Sequence, residues 1–163
     1  MRKNLTYVMD GFSAADEKYF RASEQAYQRA GISVLPARES EIPTCIVFKS
    51  FAADLAKLYQ SEIAGAQLSI TDRGKNPIHV HLCGENWSRI PKHLGSEYTN
   101  LSDYRVALIS HEFAHVLGHD HVHCACVGCE ADVRQQPSRS LRGCKPTTKV
   151  ILNPKSPHTE DNF

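Results

Sequence analysis

The sequence predicts an α+β fold: a mixed, twisted sheet of about five strands, one long helix that carries the candidate site residues, and a small irregular C-terminal subdomain. Three observations support this prediction. Five short segments are rich in β-favouring residues or alternate apolar and polar side chains. Segments with the 3.6-residue spacing of apolar side chains lie between some of these strands. Beyond residue 118, no periodic pattern continues.

The 163-residue chain has the length of one domain. We expect an N-terminal subdomain, residues 1–118, that includes the long helix, and a C-terminal subdomain at 119–152. Residues 153–163 contain Pro154 and Pro157 and are expected to form a mobile tail.

The first 35 residues predict a strand, a helix and a second strand. Leu5 to Met9 is the first strand, because Thr, Tyr and Val favour extended backbone. Ser13 is the expected N-cap of a helix of about four turns, with Asp16 completing a capping box. The helix is expected to end at Gly31, and Ile32 to Leu35 to form the second strand.

The next segments predict two further strands with a helix between them. Thr44 to Phe48 is strongly β-favouring and fits an interior strand. Phe51 to Glu62 shows helical spacing of apolar residues. Ala66 to Thr71 alternates apolar and polar side chains, which is typical of a half-buried strand.

Ile78 to Cys83 predicts a fifth strand at the edge of the sheet. The segment follows a proline and alternates apolar residues with His79, His81 and Cys83. For the two histidines we favour simple solvent exposure over a second metal site. An edge strand also offers unpaired backbone groups to an extended peptide.

A long polar loop is expected from Gly84 to Leu101, before the principal helix. Trp87, the only tryptophan, fits a plug in the core better than a rim of a cleft. Ser102 is the expected N-cap of the principal helix, at Asp103 to Leu117.

The principal helix carries the pattern H-E-x-x-H-x-x-G-x-x-H. His111 and His115 are four residues apart, so both imidazoles lie on one face of a helix. Gly118 can end the helix in the left-handed conformation, after which His121 can return as a third ligand. Three histidines and one water form the open shell of a catalytic zinc ion, and Glu112 is placed to act on that water.

Two alternatives concern this pattern. His119 or Asp120 could replace His121 as the third ligand. The pattern could also arise by chance on a surface helix, because the chain holds nine histidines. The added glycine and third histidine at the correct offsets make chance a poor explanation.

Six cysteines are present, and two arrangements of the C-terminal four fit the spacing. These four, with His123, could hold a structural zinc ion. Alternatively, Cys124 and Cys144 could form a disulfide that ties the C-terminal segment beneath the helix. Cys45 and Cys83 are isolated in sequence and fit buried, small apolar positions.

Composition excludes some classes of partner. Apolar residues make up 41% and charged residues 23%, and the formal net charge is +1, so we expect no nucleic-acid partner. No apolar run is long enough for a membrane span. The N-terminus lacks the apolar core of a signal peptide, whereas the cysteine usage weakly favours an oxidising destination, so the location is left open.

Residues 86–146 resemble the metzincin clan of zinc metallopeptidases, and more closely an uncharacterised metzincin-like family of actinobacteria and large DNA viruses. In that family Tyr-Arg precedes the helix, a Cys follows the histidine motif, and a Val-Met-Gln-Gln-like turn and a Gly-Cys near a proline come later. The corresponding segments here are Tyr104-Arg105, His111 to His121, Cys124, Val133-Arg134-Gln135-Gln136, and Gly143-Cys144-Lys145-Pro146.

The resemblance implies a zincin-like fold and one catalytic Zn²⁺ held by His111, His115 and His121, with Glu112 as general base. It also favours the Cys124–Cys144 disulfide over a cysteine zinc site. The expected activity is zinc-dependent hydrolysis of a peptide or protein substrate lying along the strand of His79 and His81. The alternatives are a non-catalytic zinc-binding interaction module and a zinc hydrolase of a non-protein amide.

One departure from the metzincin pattern concerns the floor of the site. Metzincins carry a methionine in a turn beneath the zinc, and the only methionines here are Met1 and Met9. Arg134 stands where the methionine is expected. Because a charge buried under a dication is costly, we expect either a displaced turn or an Arg134 side chain that points outward.

Overall fold

The structure, a computed structural model, describes residues 2–62 and 67–160 and confirms an α+β fold with one mixed five-stranded sheet. The strands are β1 (Asn4–Asp10), β2 (Ser33–Pro36), β3 (Cys45–Ser50), β4 (Ile70–Asp72) and β5 (Ile78–Cys83). The helices are α1 (Glu17–Arg29), α2 (Ala52–Tyr59), α3 (Gly84–Ser88) and α4 (Leu101–Val116), with short 3-10 helices at Ala14–Asp16 and Lys92–Leu94.

The strand order is β2-β1-β3-β5-β4, and only β4 runs antiparallel to its neighbour. The prediction that Ile78–Cys83 forms the edge is therefore wrong, since β4 pairs with its outer side. Strand β4 begins at Ile70, later than the predicted Ala66, which lies outside the described residues. Alternation along a strand shows which residues share a face of the sheet, but it does not show whether another strand pairs alongside. Both faces of β5 are covered, so its polar residues do not mark an edge strand.

Helices α1 and α4 pack together on one face of the sheet and enclose the main core. The rings of Tyr7 in β1 and Phe113 in α4 have centroids 5.3 Å apart. Two polar contacts fix the helix pair: the Tyr27 hydroxyl donates to the Ser110 carbonyl, and the hydroxyls of Ser23 and Ser110 are 2.7 Å apart. Packing against the sheet on one side and α1 on another buries most of the side chains of α4.

The opposite face of β5 carries a smaller aromatic cluster. His81 is only 5% exposed, so its predicted solvent exposure is wrong, whereas His79 is half-buried. The His81 ring stacks on Phe48 at 5.1 Å and contacts Tyr59 of α2. The Ser50 hydroxyl lies 2.8 Å from His81 Nδ1. Burial, followed by the charge of His79, lowers the pKa of His81 to about 4.

The segment from Gly84 to Leu101 was predicted to be a long loop. Part of it is helical instead, because it contains α3 and the 3-10 helix at Lys92–Leu94. Trp87 is 2% exposed, which confirms the core-plug interpretation. Its indole N–H donates to Asp16 over 3.1 Å, and Arg105 Nε donates to its backbone carbonyl over 2.7 Å. Trp87 therefore links the start of α1 to α4.

Helix α4 begins two residues earlier than expected. Asn100 is the N-cap, and its side-chain oxygen accepts from the backbone N–H of Asp103 at 3.0 Å. The predicted cap, Ser102, lies inside the first turn. Both residue types cap helices well, so the local sequence alone does not distinguish them.

Beyond α4, the described chain through Glu160 contains turns and isolated bridges. Cys124 is disulfide-bonded to Cys144, in agreement with the preferred arrangement, and a second, unexpected disulfide joins Cys126 and Cys129. Cys45 and Cys83 are free and buried, as predicted.

The segment expected to be a mobile tail makes several contacts up to Glu160. His158 forms an isolated bridge with Val122, and the Thr159 N–H donates to the His121 carbonyl over 2.9 Å. Ser156 is buried. Residues 161–163 lie outside the described chain. Among the described helices, none has the length and apolar character needed to cross a membrane.

Candidate metal centre

Helix α4 places the first two candidate ligands in the interior. His111 and His115 are each 3% exposed and lie on one face, one helical turn apart. The predicted glycine ends this region as expected, since Gly118 adopts φ +102°. The His119 N–H donates back to the Ala114 carbonyl over 2.9 Å, and the chain reverses there.

The reversal brings His121 to the other two histidines. Its Nε2 atom lies 3.1 Å from His111 Nε2 and 3.0 Å from His115 Nε2. Zinc–nitrogen bonds are about 2.0–2.1 Å long, so nitrogens on a tetrahedral zinc ion lie about 3.3 Å apart. The spacing thus fits a small cation at the centre of the three atoms.

Among the described residues, this is the single group of three potential metal ligands that the geometry brings together. The alternatives for the third ligand are directed elsewhere. Asp120 forms a salt bridge with Arg73 at 3.0 Å, and His119 does not join the group. The cysteines of the proposed structural zinc site are paired in the two disulfides.

Backbone carbonyls set the tautomers of the two helical histidines. His111 Nδ1–H donates to the Val133 carbonyl over 2.9 Å, and His115 Nδ1–H donates to the His119 carbonyl over 2.8 Å. Because a carbonyl only accepts, each Nδ1 carries the proton, and each Nε2 presents a lone pair to the common centre.

His121 has a side-chain partner instead. The Gln136 amide nitrogen lies 2.9 Å from His121 Nδ1. A 180° rotation of the amide group brings its oxygen to the same place, where it accepts the Nδ1–H proton, and the His121 Nε2 lone pair then points at the other two imidazoles. All three rings can then offer neutral nitrogen donors to one ion.

The electrostatics of the cluster favour neutral rings. Burial, and then the neighbouring His115 and His121, hold the pKa of His111 well below its usual value. Burial and His121 lower the pKa of His115 to about 4. Neutral imidazoles at van der Waals distance direct lone pairs at each other, and a bound cation relieves that repulsion. The group could therefore hold a metal ion.

Glu112 lies next to this cluster and is 1% exposed. The Thr71 hydroxyl of edge strand β4 donates to Glu112 Oε1 over 3.1 Å. Burial raises the pKa of Glu112 to about 8, although the Thr71 hydrogen bond opposes the rise. A buried carboxylate beside a cation site is a suitable proton acceptor.

The turn at residues 132–135 shows how the charge of Arg134 is accommodated near the candidate metal centre. The Arg134 Nε and Nη2 atoms donate to the two carboxylate oxygens of Asp132 at 2.9 and 2.8 Å, and Nη2 also donates to the Asn153 carbonyl at 2.9 Å. The buried Asp132 thus balances the guanidinium charge. The turn reaches the metal centre through the Val133 carbonyl rather than through the Arg134 side chain.

The hydroxyl groups of Tyr98 and Tyr104, two buried tyrosines near the cluster, differ in their hydrogen bonding. Tyr98 donates to the Thr147 carbonyl over 2.8 Å and is thereby directed away from the cluster. Tyr104 is fully buried, and its hydroxyl lacks a hydrogen-bond partner among the described residues. It lines a cavity of about 10 Å³ with His111 and Glu112. His119 is half-buried, and it contacts the cluster through its backbone carbonyl.

Four residues have supporting roles that the sequence did not reveal: Thr71, Asp132, Val133 and Gln136. The resemblance did draw attention to the turn that contains Val133 and Gln136, but not to their contacts with the histidines. Thr71 is 41 positions from Glu112, and no local pattern connects the two. The Asp132–Arg134 pair did have a signal, because an Asp two residues before its partner commonly forms a side-chain turn. The structure shows this contact at 2.9 Å to the Arg134 N–H.

Comparison of the chain with protein-family models, with curated proteins and with solved structures finds no match in any of the three. The fold and the geometry of the site therefore define the class: an α+β protein with a buried three-histidine candidate metal centre.

Proposed function

We propose that the protein is a zinc-dependent endopeptidase of the metzincin type. The observation that carries this proposal is the buried carboxylate of Glu112, held by Thr71 beside three converging imidazoles. A purely structural metal site has no need of a base at this position, and burying a carboxyl group with no opposite charge beside it costs free energy that such a site would avoid.

Zinc is the metal that best suits the donor set. Three neutral imidazole nitrogens at this spacing match the three-ligand centres of zinc hydrolases, which leave a position for water or substrate. When bound, zinc acts as a Lewis acid that lowers the pKa of water and polarises a carbonyl group.

The remaining chemistry belongs to the residues of the chain. Glu112 accepts a proton from the attacking water and delivers it to the leaving amine nitrogen. Thr71 keeps one carboxylate oxygen in place, which leaves the other oxygen for this proton transfer. The Val133, His119 and Gln136 contacts orient the three imidazoles.

The substrate path is revised by the sheet order. Strand β4 lies at one edge of the sheet, next to β5, and carries Thr71, the residue that contacts Glu112. An extended peptide that pairs with the outer side of β4 runs past the metal centre, whereas β5 is covered on both sides. The proposed path therefore follows β4 instead of the strand of His79 and His81.

The rival functions are a zinc-binding interaction module and a zinc hydrolase of a non-protein amide. A structural zinc site is normally closed by a fourth protein ligand. Residues 2–62 and 67–160 contribute three ligands to the cluster, which favours an open, catalytic site. The amide hydrolase shares the same chemistry and is separated from the peptidase by its substrate.

The test is cleavage of an unbiased peptide mixture by the zinc-loaded protein, followed by mass spectrometry. Glu112→Gln keeps the size of the side chain and removes the base, and it is compared at equal zinc content. The matched control is Glu130→Gln, because Glu130 is exposed and its carboxylate pairs with Lys149 at the surface.

We expect the wild type and the control to cut, and Glu112→Gln to lose at least about 100-fold in rate. If all three bind zinc and none cuts peptides, the peptidase proposal fails. Hydrolysis of small non-peptide amides by the wild type and the control, and not by Glu112→Gln, would then identify the hydrolase alternative.

A further inference from the structure

A cavity of about 340 Å³ adjoins the metal centre at His121 and Gln136. Its size matches the lower end of pockets that hold small ligands or substrate side chains. The far wall is formed by the segment after the 132–135 turn, including Arg139, Ser140 and Arg142. One pocket thus joins a candidate metal ligand to two guanidinium groups.

The two arginines give this cavity a positive charge. Arg139 and Arg142 are exposed, and within residues 2–62 and 67–160 neither guanidinium group forms an ion pair. Glu97 contacts this segment from elsewhere in the chain: its carboxylate accepts the Leu141 backbone N–H and lies 3.4 Å from the Ser140 hydroxyl. It stabilises the backbone and is not among the residues that line the cavity.

The segment that carries the arginines is held firmly. The Ser96 hydroxyl donates to the Pro137 carbonyl over 2.7 Å, Leu141 is 1% exposed in the core, and Cys144 is disulfide-bonded to Cys124. Backbone positions between these anchors are therefore set before any ligand arrives. A positive charge on a fixed backbone loses less conformational freedom when it binds.

We propose that this cavity selects substrates by a carboxylate group, which Arg139 and Arg142 bind while the scissile bond lies at the metal centre. This inference rests on the proposed peptidase function and specifies its substrate class as acidic peptides. Guanidinium groups bind carboxylates through paired, charge-assisted hydrogen bonds, whereas an uncharged amide of the same shape gains much less.

The carboxylate can come from an Asp or Glu side chain or from the C-terminus of a peptide. The binding test uses the zinc-loaded Glu112→Gln protein, which keeps the three histidines and is expected not to cut the bound peptides. It is immobilised and exposed to acetylated, amidated octapeptide pools in which each position in turn is fixed as Glu or Gln. A third pool contains Gln and a free C-terminal carboxylate, and retention is read by mass spectrometry.

We expect at least one position at which Glu is retained about tenfold more than Gln, and a loss of that preference in added salt. The preference is expected to vanish in the Arg139→Ala/Arg142→Ala variant and to persist in Arg29→Ala, an exposed arginine on α1. Preference for the third pool alone assigns the carboxylate to the C-terminus. Equal retention of all pools overturns the proposal.

Charge reversal provides a second test that separates this inference from the peptidase function. Arg139→Glu/Arg142→Glu should favour pools with Lys over pools with Glu, and the same reversal should appear in the cleavage sites of zinc-loaded protein with Glu112 intact. Cleavage without regard to charge keeps the peptidase function and overturns the carboxylate-binding pocket. Charge-dependent binding without any cleavage keeps the pocket and overturns the peptidase function.

Discussion

His111 Nδ1–H donates a hydrogen bond to the Val133 carbonyl, 2.9 Å away, and thereby ties the candidate metal centre to the turn at 132–135. The turn is itself fixed by Asp132, which accepts from both the backbone N–H and the side chain of Arg134. The orientation of one imidazole thus depends on an ion pair that does not touch the metal centre. This dependence leads to the first prediction.

Asp132→Asn should destabilise the protein by about 3 kcal/mol, because it leaves the Arg134 guanidinium without its buried carboxylate partner. The Asp132 side chain is 2% exposed and that of Arg134 is 11% exposed, so solvent can replace little of the lost interaction. Urea unfolding of the disulfide-intact protein at a fixed zinc concentration measures the change.

The control for this pair is Glu130→Gln, which removes the exposed salt bridge with Lys149. The two side chains are 43% and 68% exposed, and such pairs contribute about 0–1 kcal/mol. If Asp132→Asn changes the free energy of unfolding no more than this control does, the ion pair does not stabilise the turn.

Gln136→Ala should weaken zinc binding by about 10- to 100-fold, because the amide that orients His121 is lost while the three ligands remain. The affinity is measured by competition with a chromogenic chelator. Gln28→Ala serves as the control, since Gln28 is exposed on α1. Unchanged affinity in both variants would show that the Gln136 amide does not position the His121 ring for zinc binding.

The sheet could be predicted well where one strand repeats a simple pattern. Alternation and β-branched residues correctly indicate three strands: Asn4–Asp10, Cys45–Ser50 and Ile78–Cys83. Strand order is a different matter, because it depends on which partner covers each side. The three-residue strand β4 is too short to show a period, and its pairing with β5 moved the edge away from His79 and His81.

The site could be predicted only as far as its ligands lie close together in sequence. His111, Glu112, His115 and His121 fall within one helix and one turn, where spacing determines geometry. Their supporting groups come from β4 and from the turn at 132–135, and tertiary packing alone brings them near. The Cys126–Cys129 disulfide was also missed, since six cysteines allow many pairings.

Alkaline titration should separate the six tyrosines into two groups. Hydrogen bonds from Ser102 and Arg105 lower the pKa of Tyr19, whereas burial raises the pKa of Tyr59 and of Tyr98 to about 12. Absorbance at about 295 nm should therefore show Tyr19 ionising first in the folded protein, with most of the others ionising only at higher pH.

The same shifts predict the direction of the stability change. A tyrosine whose pKa is higher when folded keeps its proton longer in the folded state than in the unfolded state. The folded state then binds more protons between about pH 10 and pH 12, so stability falls as the pH rises through this range. Urea midpoints that rise or stay constant over this interval would contradict the buried placement of Tyr59 and Tyr98.

Thiol labelling tests the assignment of all six cysteines. Cys45 and Cys83 are free and buried, and burial raises their pKa to about 12 and about 11. Since the thiolate is the reactive form, neither should react with iodoacetamide at about pH 8 in the folded protein.

In urea without a reductant both become accessible with an ordinary pKa, and two labels per chain are expected. Reduction should raise the number to six, and peptide mapping should recover Cys124–Cys144 and Cys126–Cys129 linkages. Four labels in urea before reduction would contradict one disulfide, and peptide mapping would show which of the two is absent.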